Sequence, residues 1–388
     1  MIKEVTIDSF TSVITGGTPS TVKEEYWNGD IPWLNSGELQ QDIIRKSSNY
    51  ITESGLKNSS TKLMPKDTVL IALTGTTTGK VGYLTFEACA NQSVTGILPS
   101  EYHVPKYLYY YLNSIRKKVI SDAYGGAQPH ISQAYVKKIK VPLPPLETQK
   151  RIAQILDDAV ALRDKTEQLI REYDALAQSI FLDMFGDPVK NEKGWKTEIL
   201  KEVCAKITDG THDTPQRLTE GIKFITGKHI RPFKIDYENS DYVTEEIHQE
   251  IFRRCNPEFG DILYTNIGVN FGTAAMNTVE YEFSMKNVAL LKYNRKILNG
   301  RYLESLLNNE NFKDRLKRVF GVGGAQQFLS LSNIKSINVL VPPINLQNQF
   351  ADKIALIEKQ KELAKQELKE SEDLFNCLLQ KAFKGELI

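Results

Sequence analysis

Two stretches of this chain carry a helical hydrophobic repeat longer than anything else in it. From residue 152, apolar side chains recur at alternating steps of three and four. They are Ile152, Ile155, Ala159, Leu162, Leu169, Tyr173, Leu176 and Ile180, with Thr166 as a polar interruption. From residue 350 the pattern returns as Phe350, Ile354, Ile357, Ala364, Leu368, Phe375 and Leu378, interrupted by Lys361 and Ser371 and followed by Ala382. Such spacing over four heptads predicts a coiled-coil seam on each of two helices. Residues 150–184 contain neither Gly nor Pro. A helix of that length spans about 52 Å, more than the width of a domain this size, which argues against each helix simply packing on its own domain. Gly186-Asp187-Pro188 stops the first helix, and Gly385 marks the end of the second.

Outside these helices the period shortens. The runs Val69–Leu73, Val81–Phe86 and Val94–Leu98 read as strands. A helix is predicted from Lys106 to Ser121, with Pro105 near its first turn, and a counterpart from about Arg301 to Val319. Pro144-Pro145 and Pro342-Pro343 can neither donate to a sheet nor sit inside a helix, so they close the globular parts. The predicted organisation is a globular domain at 1–145, a long helix at 146–187, a second globular domain at 188–343 and a second long helix at 344–388.

The chain also repeats itself. Gly125-Gly126-Ala127-Gln128 recurs as Gly323-Gly324-Ala325-Gln326, an offset of 198 residues. The same offset carries Ser132 onto Ser330, Ile139 onto Ile337, Val141 onto Val339, Pro144-Pro145 onto Pro342-Pro343, Gln149 onto Gln347 and Ala153 onto Ala351. Upstream the match loosens and the offset drifts, as in Asp67-Thr68-Val69-Leu70 against Asp261-Ile262-Leu263-Tyr264. A period this long marks a duplicated domain rather than a solenoid. The fold class is therefore α+β: two mixed α/β domains in a tandem pseudo-two-fold repeat, separated by two long helices expected to form an antiparallel coiled coil.

Composition adds limits. The chain has 388 residues, 41% of them hydrophobic and 25% charged, which excludes wholesale disorder. Its 49 Lys and Arg oppose 48 Asp and Glu, so only local charge can direct a polyanion. Each globular part carries a net +3, whereas the helices together carry −5. No run approaches the roughly 18 apolar residues of a membrane span, and the start MIKEVTIDSF lacks a signal-peptide pattern. The four cysteines are far apart, with no Cys-x-x-Cys pair. A cytoplasmic protein with reduced thiols is expected.

At this point a resemblance emerges. The segments VPLPPLETQKRIAQIL and VPPINLQNQFADKIAL, together with the closing LLQKAFKGEL, resemble the specificity (S) subunit of type I restriction-modification systems, and the likeness runs through the whole chain. It implies that the globular repeats are target recognition domains and the helices spacers. It implies double-stranded DNA and two adenine-N6 methyltransferase subunits as partners, with restriction subunits as a further possibility. No cofactor is expected on this chain: S-adenosylmethionine belongs to the methyltransferase subunits, ATP and magnesium to the restriction subunits. Two unlike readers on a rod of roughly 50 Å suit a split, non-palindromic target, since that length equals about 15 base pairs of duplex. The competing reading is a duplicated coiled-coil protein-binding scaffold without a DNA role. One of a set of interchangeable specificity chains is a further alternative within the same fold.

Polar side chains in the loops are the candidate DNA contacts. In the first copy they are Thr15, Thr18, Asn35, Ser36, Thr76, Thr77, Lys80, Gln128 and His130; in the second, Thr211, His212, Lys228, His229, Asn266, Asn270, Gln326 and Gln327. The duplicated Gly-Gly-Ala-Gln also reads as a structural turn, because scaffold repeats while base readers diverge. Trp33 reads as core, and His103 as a surface or packing residue. The segment from Thr74 to Val81 is no Walker A loop: three residues, not four, separate Gly75 from Gly79, and Val81 stands where a magnesium-binding hydroxyl is needed. Neither an Asn/Asp-Pro-Pro-Tyr tetrad nor a Gly-x-Gly-x-x-Gly occurs, so no methyltransferase chemistry is expected in the chain itself, and no Asp/Glu/His cluster has metal-ligand spacing, so no metal site is expected.

Overall fold

The computed structural model describes residues 4–126, 128–268, 270–321 and 328–387. It divides into two compact units. Unit 1 holds residues up to Glu167 together with those from Gln366 onward, and unit 2 is Gln168–Lys365. Each unit thus takes a portion of both long helices, which run Leu146–Phe185 and Ile344–Lys384.

Unit 1 is built on a five-stranded sheet ordered Val13–Thr15, Val94–Ile97, Val69–Ala72, Val81–Leu84, Ile43–Ile44. All pairings are antiparallel except the last. Every residue of Val69–Ala72 and Val94–Ile97 is buried, which explains the unbroken apolar reading of the first. A smaller sheet orders Asn49–Ile51, Trp27–Leu34 and Cys89–Ala90, and buries Trp33, whose indole N–H donates to the Gly17 carbonyl at 2.9 Å. Unit 2 repeats the plan. Its four-stranded sheet orders Cys204–Asp209, Ala289–Tyr293, Ile262–Tyr264 and Ala274–Met276, and a three-stranded sheet orders Asp241–Val243, Ile222–Thr226 and Ser284–Lys286.

The predicted domain helices are each interrupted. In unit 1 the first piece is Pro105–Ser114 and the second Arg116–Ser121, with Ile115 (φ −96°, ψ 6°) between them. In unit 2 they are Gly300–Asn308 and Glu310–Val319, where the Asn309 side chain accepts from the Phe312 N–H and so begins a new helix.

The shared proline motif is a stitch. Gln149 is buried; its Nε2 donates to the Pro144 carbonyl at 2.8 Å, and its Oε1 accepts from the Val104 N–H at 2.8 Å. In unit 2, Gln347 donates to Pro342 at 2.8 Å and to Ile297 at 3.0 Å, and accepts from the Asn299 N–H at 2.9 Å. Tyr107 and Tyr302 reinforce the same joint by donating to the carbonyls of Pro142 and Leu340. The sequence repeats here because one glutamine must satisfy backbone groups from the long helix's lead-in and from the domain helix's start.

Within unit 2 the long helices run antiparallel: Lys361 pairs with Asp174, and Phe350 contacts Phe181 and Phe185 at 5.7 and 5.3 Å between ring centroids. Within unit 1, Leu156 and Val160 share a core with Phe375, Leu379 and Ala382. The second helix buries the predicted side: Phe350, Ile354, Ala364, Ser371 and Ala382 are buried, and Ile357, Lys361, Leu368, Phe375 and Leu378 half-buried. The first helix does not, and this corrects the sequence expectation. Leu162, Leu169 and Leu176 are 50, 37 and 46% exposed. The inward series instead runs through Ile152, Leu156, Ala159, Thr166, Ile170, Tyr173, Ala177 and Phe181, each buried or half-buried. Ile155 and Ile180 are half-buried beside it. The expectation lies one residue off at alternate positions, a rotation of about 100°. Among the described residues no helix is long and apolar enough to cross a membrane.

Candidate nucleic-acid interface

In both units the hairpin loop after a fully buried strand is closed by the same backbone hydrogen bonds. In unit 1, Ala72 N–H donates to Lys80 and Gly79 N–H returns to Ala72; in unit 2, Thr265 pairs with Thr273, and Gly272 returns to Thr265. Gly75 and Gly79 have φ of 75° and 73°, and Gly268 and Gly272 have 83° and 72°, which L side chains rarely adopt. The sequence repeat is thereby extended to loops whose offset is 193 rather than 198. The first loop leads into the strand Val81–Leu84, not into a helix whose N-terminus would cradle phosphate.

A second turn packs on this loop. In unit 1, His130 bridges both Thr74 and Tyr124, and Thr78 Oγ1 donates to the Pro129 carbonyl at 2.7 Å. The Tyr124 and His130 rings meet edge to face, 5.0 Å apart, and Tyr124 is 61% exposed. Thr76, Tyr124 and Gln128 are exposed and His130 half-buried on this doubled loop. In unit 2 the equivalent bridge joins Ile267 to Phe328, so Ile267 stands for Thr74 and exposed Phe328 for His130. The scaffold is common, and the side chains it presents are not. Gln326 and Gln327 lie outside the described residues.

Three other unit 1 candidates, Thr15, Thr18 and Asn35, gather around residues 90–95. Thr15 Oγ1 lies 3.0 Å from Thr95 Oγ1, Thr18 donates to Gln92, and Leu34, just before Asn35, accepts from the Asn91 N–H. Asn35 Oδ1 caps Ser36–Gln41 by accepting from the Gly37 N–H, Thr77 donates to the Thr74 carbonyl, and Lys80 pairs with Asp42 at 2.6 Å.

Unit 2 holds a cleft of about 380 Å³ lined by Arg217, Thr226, Gly227, Lys228, Arg231, Ile267, Gly268, Asn270, Lys286 and Asn287. Four of these side chains are cations. Asp241 offsets them, 2.7 Å from Arg217 and 3.0 Å from Lys228. Thr211 and Asn287 meet beside it through the Asn287 N–H to the Thr211 carbonyl. His212 lies 2.8 Å from Asp209 and 3.0 Å from Asn287 Oδ1. Lys286 donates to Thr214 Oγ1.

Three of the predicted contacts are scaffold instead. His229 is buried; its Nδ1 accepts from the Thr226 N–H at 2.9 Å and its Nε2 donates to the Asn239 carbonyl at 3.1 Å. Burial, with Lys228 beside it, lowers its pKa and keeps it neutral. Asn266 is buried and donates to the Leu329 carbonyl. Asn270 reaches the cleft but spends its amide on the carbonyls of Gly227 and Ile230. His103, likewise, is packing: buried against Phe10, Nδ1 is 2.7 Å from Ser100 Oγ, and desolvation pushes its pKa down to about 4. The sequence reading missed Tyr124, Arg217, Arg231, Lys286, Asn287 and Phe328. Nothing in their local spacing marks them; tertiary structure alone assembles them. Among the described residues no His, Cys, Asp or Glu cluster could hold a metal ion.

Comparison with known proteins then decides the family. The type I restriction modification DNA specificity domain matches residues 2–172 and again 192–372. The chain belongs to this family. Its role is that of the specificity subunit, the recognition member and not the catalyst, in agreement with the sequence resemblance. It is similar to the type I restriction enzyme MjaIX specificity subunit of Methanocaldococcus jannaschii, 26% identical over 87% of this chain and 82% of that one. The EcoR124I/EcoR124II specificity subunit of Escherichia coli is 34% identical over 40% of this chain and 41% of its own length. The S subunit of M. genitalium shares the fold at a TM-score of 0.58, with 19% identity and coverage of 98% of this chain and 96% of that one. A chain from a type I R-M system structure does so at 0.64, with 16% identity and coverage of 99% and 98%.

Proposed function

We infer that this chain reads a split, asymmetric target on double-stranded DNA, one half-site for each unit, and seats adenine-N6 methyltransferase subunits over it. The reading rests on one observation above the rest. Two DNA-specificity domains in a single chain share a loop scaffold but present different side chains on it, Thr74 and His130 against Ile267 and Phe328. Unlike readers on like frames suit unlike half-sites. The cationic cleft of unit 2 supports phosphate attachment in particular.

Exposed leucines support protein partners. Leu162 and Leu374 of unit 1, and Leu169, Leu176, Leu356 and Leu363 of unit 2, stand in water on the long helices, where a partner's apolar face would cover them. Two methyltransferase subunits are the partners on this reading, and restriction subunits are further ones. S-adenosylmethionine, ATP and magnesium then belong to those subunits, and this chain binds none of them. The 40-residue length of Leu146–Phe185 further supports a gap set by helix length.

The test is adenine methylation mapped genome-wide with and without this chain. Two dissimilar half-sites at fixed separation, lost on deletion, are the expected result. Insertion of one heptad into each long helix should alter the separation and leave both half-sites unchanged. Methylation that shows no dependence on this chain refutes the reading.

A further inference from the structure

A carboxylate on a surface meant for a polyanion calls for a reason. Asp241 begins the strand Asp241–Val243, paired to Ile222–Thr226, so its backbone is fixed by the sheet. Its side chain is 21% exposed at the cleft of unit 2, and Oδ2 accepts from Arg217 Nη1 at 2.7 Å. Lys228 Nζ lies 3.0 Å from the same oxygen. Arg217 comes from the irregular segment between Thr211 and Gly221, and its side chain is 43% exposed. Without an anchor, such a guanidinium would sweep a wide volume and satisfy any phosphate it met.

With Nη1 held, the Nε–Nη2 edge remains for an outside acceptor, on a guanidinium tethered at its far corner by the carboxylate. Bidentate contact with guanine O6 and N7 needs a guanidinium edge presented in this way. Lys228, sharing the same oxygen, is partly neutralised, which removes attraction that carries no sequence information.

We propose that Asp241 is a positioning residue for base reading: it aims the free edge of Arg217 at a guanine in the half-site of unit 2, and it restrains the cleft from gripping arbitrary duplex. The proposal rests on the DNA-reading function inferred above. An ordinary surface ion pair would behave differently. Its removal would raise affinity for every sequence alike and leave base preference unchanged.

The experiment uses the full chain assembled with its methyltransferase subunits, selecting from a randomised duplex library, followed by competition binding at several salt concentrations. Wild type is compared with Asp241→Asn, Arg217→Lys and the double variant. Asp241→Asn is expected to bind unrelated duplex several-fold tighter, with a steeper salt dependence, while preference for one guanine falls about tenfold, the scale of one bidentate pair. Arg217→Lys should lose preference at that same position, and the double variant should lose no more there than either single change. Preserved preference at every position in Asp241→Asn, or loss at a position different from that of Arg217→Lys, overturns the proposal. The half-site read by unit 1 is the internal control for folding. If Asp241→Asn fails that control, Arg217→Lys, altered at a half-exposed side chain, decides alone, and a guanine preference it leaves intact overturns the proposal. Wild type that selects no sequence refutes the DNA-reading function itself, before any substitution is considered, and this proposal with it.

Discussion

Replacing Gln347 by Leu tests whether the proline motif is structural. The side chain is fully buried and serves three backbone groups: the Asn299 N–H, the Ile297 carbonyl and the Pro342 carbonyl. Leucine fills similar volume and satisfies none of them. Each orphaned buried group costs about 1–3 kcal/mol, and partial relaxation toward water brings the expected total to about 3 kcal/mol. At about 1.4 kcal/mol per decade, that is roughly a hundredfold gain in opening. Hydrogen exchange followed by mass spectrometry separates the two units, which a single global unfolding transition would blur. Peptides covering 297–310 and 338–350 should exchange about a hundredfold faster, and peptides covering 69–114 should be unchanged. Acceleration under threefold in the unit 2 peptides would mean that water replaces the glutamine at little cost, and the stitch argument would be wrong. Gln149→Leu should reverse the pattern between the units.

Two further predictions concern the long helices and acid. Leu169→Lys should leave the unfolding midpoint within about 2 °C of wild type because that side chain already faces water, whereas Ala364→Lys, which forces a cation into a buried position, should lower it severalfold more; equal effects in thermal melts would reject the helix register described above. Buried His103 titrates near 4 in the folded chain and near 6.5 when unfolded, so the unfolded state takes up the extra proton between those values. Its contribution is therefore full above about pH 6.5 and falls by an amount on the order of 3 kcal/mol as pH drops toward 4. Denaturant titrations of His103→Gln should show a flatter decline over that window, and a decline as steep as wild type would contradict the assignment.

Much of the fold was legible because its signals are local. Pro-Pro followed by a buried Gln, apolar strand cores such as Val69–Ala72, and the seam from Phe350 to Ala382 all read directly from residue type and period. The first helix misled because both registers look apolar. Ile155 or Leu156, Leu169 or Ile170, Leu176 or Ala177 are equally plausible in isolation. What selects the inner face is the partner surface, which single-chain periodicity does not contain. The interface was legible only in outline. Asn266, Asn270 and His229 have base-reading chemistry, yet the same groups satisfy buried carbonyls and amides equally well. Arg217 and Lys286 were passed over because 68 residues of intervening chain hide their shared cleft.

The division of the chain has a consequence for the order in which it is made. Unit 2 is one uninterrupted segment, Gln168–Lys365, whereas unit 1 draws on both ends. Its core includes Phe375, Leu378, Ala382 and Phe383, with Phe383 lying against Tyr107 and Tyr111. On the ribosome, therefore, the lobe that emerges first is the last to be finished. It waits, with those tyrosines uncovered, through the synthesis of more than two hundred further residues, while its later sibling can close as soon as it leaves the tunnel.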